Sequence, residues 1–330
     1  MLEQRLKNHI NTYGALTVRE YQDLVLFDPT DGYYANAQVI GRQGDFITSP
    51  EISQVFGEII ALSFVNQWHQ MGCPSDVLLA ELGPGRGTLM ADMIRTFKQF
   101  PDFWKTLAIY LVEVCPALIR QQKDLLGDTI THVPTLAAAP ESDVTFIIAN
   151  EFFDALPVEQ FIVNPAQNTK NPRLITHNEK DAWHFVPHAP HEQIIETSEA
   201  SLTTASEIKR RLESGEGMAI IIDYGDNCEH RTGDTLQAVY KHQRVSVFDH
   251  MGQADLSHHV DFAALQQLIT PLSTTFTTQG EFLIQNGINE RTEFLAQKHL
   301  DMASNLRTGT TRLTAPSAMG SLFKVLTIKH

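Results

Sequence analysis

An α/β fold, a mostly parallel sheet with helices on both faces, is predicted by three features of the chain. Short, wholly apolar segments such as VLLAEL (77–82), VTFIIANE (144–151) and MAIIIDYG (218–225) have the character of strands buried on both faces. Segments with helical periodicity lie between them, as crossovers between parallel strands require. A glycine-rich turn, GPGRG (83–87), sits where the first of these strands meets the next helix.

In chain order, residues 1–26 read as helical, with Leu2, Leu6 and Ile10, then Leu16, Tyr21, Leu24 and Val25, as the apolar positions. A loop rich in Gly, Asp and Asn follows over about 27–49. A clear helix start comes next: Ser49 suits the N-cap, Pro50 the first helical position and Glu51 the positive end of the dipole. Ile52, Val55, Phe56, Ile59 and Ile60 form one helical stripe, and Gly72 ends it. VLLAEL, IYLVEV (109–114), TITHV (129–133), VTFIIANE and MAIIIDYG then give five strands, with helices TLMADMIRTFKQF and PALIRQQKDLL after the first two. TTFTTQ (274–279) and LFKVLTIKH (322–330) add two more, the last closing the sheet. The expectation is seven strands with one reversed at the edge. Residues 1–75 are expected to form a helical N-terminal cap and 76–330 the catalytic domain, with insertions near 157–216 and 225–258. Both insertions leave the carboxyl end of the sheet, where open α/β folds bind ligands.

Composition narrows the function. With 330 residues, 42% hydrophobic and 19% charged, the chain is too apolar for disorder and too varied for a rod. No apolar run approaches the ~18 residues of a membrane helix, so no membrane insertion is expected. A net charge of −14 argues against a nucleic-acid partner and suits a basic protein segment. Cys73, Cys115 and Cys228 are far apart and odd in number, which fits a reducing compartment. The N-terminus has neither the apolar core of a signal peptide nor the Arg- and Ser-rich bias of a transit peptide, so the cytoplasm is expected.

The candidate chemistry lies at the strand ends. Glu81, Gly83, Gly85 and Gly87 form an E-x-G-x-G-x-G turn, in which glycines let a ligand approach the backbone. This spacing differs from the G-x-G-x-x-G of pyrophosphate-binding turns and is the form used around S-adenosylmethionine, whose cationic end Glu81 is placed to hold. Glu113 ends the second strand, where a carboxylate accepts ribose hydroxyls; an NAD enzyme is the competing reading here. Strand four ends in Asn150, Glu151, Phe152, Phe153 and Asp154, two acids and an amide around two aromatics, a site for a cation or an amine. A sulfonium donor carries its own leaving group, so alignment and electrostatics suffice and no metal is called for. If the acceptor is a guanidinium, Glu151 can bind it in two-pronged fashion, with Asp154 as a second anchor or proton acceptor. Asp223 and Tyr224, at the tip of strand five, are expected to face the acceptor, and His242 to approach it. His258 and His259, beside Asp255 and Asp261, read as a loop entering a helix rather than a metal site.

Several dispersed segments together resemble the MidA family of S-adenosylmethionine-dependent methyltransferases. They are DPTDGYY (28–34), GDFITSPEISQVFGE (44–58), ELGPGRGTLMADMIR (81–95), VEV (112–114), NEFFDALPVEQF (150–161), DYG (223–225), GDTLQAVYKHQ (233–243) and ADLSHHVDF (254–262). The resemblance implies a class I methyltransferase fold, Rossmann-like, with a helical cap and inserted substrate-covering elements. It implies S-adenosyl-L-methionine as cofactor and S-adenosyl-L-homocysteine as product. Glu81, Gly83, Gly85, Gly87 and Glu113 would hold the cofactor, and Asn150, Glu151 and Asp154 would line the methyl-transfer site. Gly44, Asp45, Phe46, Thr48 and Ser49 match a segment that folds over the cofactor, with Phe46, Thr48 and Ser49 on it and Asp45 towards substrate. Mitochondrial members are complex I assembly factors that methylate an arginine of a complex I subunit, so a protein presenting an arginine is the implied substrate. They carry a His where Asn150 stands and have a targeting extension that this chain lacks, which makes a bacterial cytoplasmic relative the expectation. The alternatives are an assembly factor that binds the cofactor without turnover, and a small-molecule methyltransferase.

Overall fold

The computed structural model describes residues 2–35, 48–164, 169–180, 182–228 and 233–330. The chain divides into two compact units, one of Met1–Phe46, Asp154–Thr203 and Asn227–Ala264, the other of Ile47–Phe153, Thr204–Asp226 and Leu265–His330.

In the smaller unit the expected single helical stretch is two helices, α1 (Leu2–Tyr13) and α2 (Val18–Phe27). Gly14 takes φ +99°, which ends the first. Thr17 and Glu20 then close a capping box that starts the second. Both helices bury their apolar faces (Leu6, Ile10, Tyr21, Leu26) with residues from the two insertions, Val158, Ile175, Ala238 and Leu256. The insertions are β-rich: Glu159–Asn164 pairs antiparallel with Ile194–Thr197 and Thr169–Pro172, and Gln237–Tyr240 pairs with Gln243–Val245 and Asp255–Ser257. The N-terminal helices therefore share one core with the inserted segments.

The larger unit begins with α3 (Ser49–Ile52) and α4 (Gln54–Gln70), where one helix is expected. Ser53 is extended, at φ −156° and ψ 131°, and its side chain accepts from Val55 N, so it caps a new helix instead of continuing the old one. Helix α4 is apolar nearly all round and buries Val55, Phe56, Ile59, Ile60, Phe64 and Trp68 in the same core as the strands. Residues 48–75, placed with the cap by sequence, accordingly pack with the sheet.

Seven strands of this unit form one sheet: β1 (Val77–Leu82), β2 (Leu107–Val112), β3 (Ile130–Val133), β4 (Val144–Asn150), β5 (Glu216–Asp226), β6 (Ser273–Thr278) and β7 (Phe323–Lys329). Their order is β6-β7-β5-β4-β1-β2-β3. Strand β7 runs antiparallel to both neighbours, and the pairs among β1 to β5 are parallel. The reversed strand thus lies one in from the edge, not at it. Strand β7 buries Phe323, Val325, Leu326 and Ile328, whereas β6 has no fully buried residue and suits the rim.

Register sets the heights of the strand tips. Leu82 pairs with Val112 and Ala149, and Asn150 with Ile222. Gly83, Glu113, Asn150 and Ile222 therefore stand level across four adjacent strands, a span of about 14 Å at ~4.8 Å per strand. Helices α5 (Thr88–Phe97) and α6 (Pro116–Leu126) follow β1 and β2. Helix α7 (Glu199–Ser214) leads into β5.

Arg211 on α7 secures the approach to β4. It is buried, and its guanidinium donates to Glu207 Oε1 (2.8 Å) and to the carbonyls of Pro140 (2.8 Å), Leu136 (2.9 Å) and Ala139 (2.7 Å). Arg211→Met leaves those carbonyls without donors. We expect urea denaturation to show a loss of about 3 kcal/mol, by analogy with breaking a buried ion pair; a change below about 1 kcal/mol would contradict this role.

Candidate active site

The glycine turn joins β1 to α5. Gly83, Gly85 and Gly87 have φ of +61°, +53° and +82°, which L side chains rarely adopt. A Cβ on Gly83 would meet Phe152 Cδ2 at 2.7 Å, so the turn and the tip of β4 are packed as closely as glycine allows. Gly83 N donates to Val112 O (3.1 Å), continuing the β1–β2 ladder into the turn.

Glu81 ends β1 pointing inward. It is buried, and its Oε2 accepts no hydrogen bond from any described residue. Burial alone pushes its carboxyl up to about 8. An acid in this condition is neutral at physiological pH and waits for a donor or a cation.

Glu113 lies just past β2. Its Oε1 accepts from the backbone N–H of Val114 (2.9 Å) and Cys115 (2.8 Å), and its Oε2 from Gln122 Nε2 (3.3 Å). Burial raises its carboxyl above the ordinary range, while those hydrogen bonds pull the other way.

The tip of β4 is held from both sides. Glu151 takes φ +52°, a left-handed conformation for a side chain with a Cβ, and its N–H donates to Ile222 O (2.9 Å). Such strain at a strand tip points to function. Glu151 Oε1 accepts from Asn150 Nδ2 (3.1 Å) and from Ser49 N (3.2 Å). Ser49 Oγ donates to the fully buried Gln279, whose Nε2 donates to Leu313 O (2.9 Å). Asn150 Oδ1 is buried and accepts nothing from the described residues.

Asp223 and Tyr224 serve the turn and the core. Asp223 is fully buried, and its carboxylate accepts from Phe153 N (3.0 Å) and Tyr224 N (2.9 Å), so it shapes the turn after Glu151. Tyr224 points the opposite way, edge-on to Phe323 at 5.3 Å in the core. Successive residues of a strand face opposite sides, so the pair cannot both face one pocket. Thr48 supplies the N-cap backbone of α3 with no capping bond from its side chain, and Ser49 lies inside the helix rather than at its cap. Glu51 of α3 accepts from Thr88 Oγ1 (2.7 Å) at the start of α5. Gly44, Asp45 and Phe46 lie outside the described residues.

In the smaller unit, Asp154 is buried and its carbonyl accepts from His258 N (3.1 Å). His258 is buried too, with its ring nitrogens 2.9 Å from the carbonyl oxygens of His259 and Leu156. His242 is exposed at a hairpin tip, where Lys241 and His242 take φ of +49° and +62°. That places it in a tight turn between Gln237–Tyr240 and Gln243–Val245. Among the described residues no group of three or more His, Cys, Asp or Glu is placed to hold a metal ion.

Sequence reasoning missed Gln122 and Gln279. Gln122 follows Leu118 by one helical turn, on the buried face of α6. A polar residue at that spacing among apolar ones is the signal that could have found it.

A family profile described as "Putative S-adenosyl-L-methionine-dependent methyltransferase" matches residues 59–280. The chain is 33% identical to "Protein arginine methyltransferase NDUFAF7, mitochondrial" of Mus musculus, over 97% of this chain and 82% of that protein. It is 30% identical to the Homo sapiens protein of the same name, over 97% and 81%. A crystal structure from Burkholderia thailandensis, bound to S-adenosyl-homocysteine, shares the fold with a TM-score of 0.84 at 23% identity, over 100% of this chain and 92% of that one. The expected bacterial cytoplasmic location is corrected by these matches: the curated relatives are mitochondrial proteins.

Proposed function

The chain belongs to the MidA family of S-adenosyl-L-methionine-dependent methyltransferases, and from that premise we propose that its methyl acceptor is an arginine side chain of a protein. The observation that carries the proposal is Glu151, an acid in a strained conformation at the tip of β4, whose Oε1 accepts from Asn150 and Ser49. Two relatives at 30% identity or more are named for the same acceptor. The net charge of −14 favours a basic segment as substrate.

The residues suit the cofactor. Glu81 brings a buried carboxyl whose Oε2 lacks a donor, the three glycines expose backbone, and Glu113 offers a pre-oriented carboxylate on the next strand. We assign Glu81 to the ammonium end, the glycine turn to close backbone contact, and Glu113 to the ribose hydroxyls. When bound, the cofactor supplies a methyl group on a sulfonium that is its own leaving group. The chain orients the acceptor and excludes water. Glu151 binds the guanidinium and draws its positive charge to the nitrogens it contacts, which leaves electron density on the one that attacks. That nitrogen gains the methyl, and the guanidinium gives up one proton to the Glu151 carboxylate from a nitrogen that this carboxylate contacts.

The test uses methyl-labelled S-adenosyl-L-methionine, purified protein and an extract of cells lacking the gene. Label recovered in methylarginine after hydrolysis of the protein fraction is the expected result. Label confined to small molecules or to other amino acids, or no transfer at all, would overturn the proposal.

A further inference from the structure

We infer that Gln122 is a positioning residue that sets the affinity of the site for the ribose of its nucleoside ligand, by locking Glu113 to the glycine turn. The inference rests on the reading of the β1 and β2 tips as the cofactor site. Gln122 is fully buried on α6, and each polar atom of its amide is used. Nε2 donates to Gly85 O (2.7 Å) and to Glu113 Oε2 (3.3 Å), and Oε1 lies 2.7 Å from His132 Nε2 on β3. Only one amide orientation is tolerable, because the flipped one would press its oxygen against two others. In that orientation Oε1 needs a donor, so His132 carries its proton on Nε2.

One amide thus fixes the distance from the middle of the glycine turn to the carboxylate on the neighbouring strand. The backbone amides of Val114 and Cys115 fix the other oxygen of Glu113. Both oxygens are aimed before a ligand arrives, so a diol that fits them pays little for ordering. Packing alone does not explain the choice of residue. Leu118 fills the same face one turn earlier, and a leucine would avoid the cost of burying an amide.

The test measures, by calorimetry, the binding of S-adenosyl-homocysteine and of its 2′-deoxyribose analogue to wild type and to Gln122→Met, with thermal melting alongside. Methionine keeps the length and removes the hydrogen bonds. The expected result is an S-adenosyl-homocysteine Kd raised about tenfold, the loss of one to two hydrogen bonds, with the preference for ribose over deoxyribose falling towards one. His132→Leu, on the edge strand, should move both quantities the same way by about threefold, and it carries the test if Gln122→Met does not fold. Unchanged Kd and unchanged ribose preference in the folded variants, whatever happens to melting, overturn the inference. If wild type itself fails to bind S-adenosyl-homocysteine, the cofactor reading falls instead, so the two failures are told apart.

Discussion

Glu151→Gln is expected to lower methyl transfer about a thousandfold while leaving S-adenosyl-homocysteine affinity within about twofold of wild type. The substitution is nearly isosteric. Its amide oxygen can still accept from Ser49 N and Asn150 Nδ2, so the left-handed backbone at φ +52° keeps its support. What disappears is the negative charge that holds a guanidinium and takes its proton. Loss of an electrostatic stabiliser costs about 10²–10³ in rate, and loss of a general base a further contribution of similar kind. Initial rates of methylarginine formation, with calorimetry on the same preparation, give both quantities. A variant that transfers methyl at the wild-type rate would remove Glu151 from the chemistry.

Glu81→Gln should weaken S-adenosyl-homocysteine binding about a hundredfold at pH 8 and, in the same protein, stabilise the ligand-free fold at that pH. The two effects share one cause. Burial holds the Glu81 carboxyl at about 8, against 4.5 for an unperturbed glutamate. Its folded value is raised, so the fold binds the proton more tightly than the unfolded chain does. The stability this confers is fully present below about pH 4.5 and is lost as pH rises through 8. Glutamine cannot ionise and escapes that loss. Asp92, raised by burial to about 6, leaves the variant a residual decline between about pH 4 and 6. Ligand binding has the opposite linkage. A cationic amino group needs the carboxylate, so wild-type Kd should fall about tenfold per pH unit between pH 6 and 7 and level off above 8. In Glu81→Gln that slope should vanish. A wild-type Kd flat from pH 6 to 8 would mean that Glu81 does not meet the ligand's charge.

Structure is legible in this sequence where one residue type has one structural use. Strands β1, β4 and β5 were legible because strands buried on both faces must be nearly all apolar, as in Ile147–Ala149 and Ile220–Ile222. Gly83, Gly85 and Gly87 were legible because a sharp turn into a helix favours residues that tolerate positive φ. Failures came where the deciding information is tertiary. Ser53 breaks a continuous apolar stripe, and only the packing of α3 and α4 shows that a cap outweighs one longer helix there. The last strand slots between β5 and β6 because FKVLTIK is more apolar than STTFTT, a comparison between distant segments. Asp223 reads as a tip acid but spends its carboxylate on two backbone amides. Gln122 falls on the buried face of its helix by spacing, but what it and Gln279 do depends on the carbonyls and side chains that the fold brings to them.

The most direct measurement is a calorimetric titration of the purified protein with S-adenosyl-homocysteine at pH 8, run beside an identical titration with NAD. The account expects one site per chain with a micromolar Kd for the first ligand and no heat from the second. Binding of the dinucleotide, or silence with both, would contradict it.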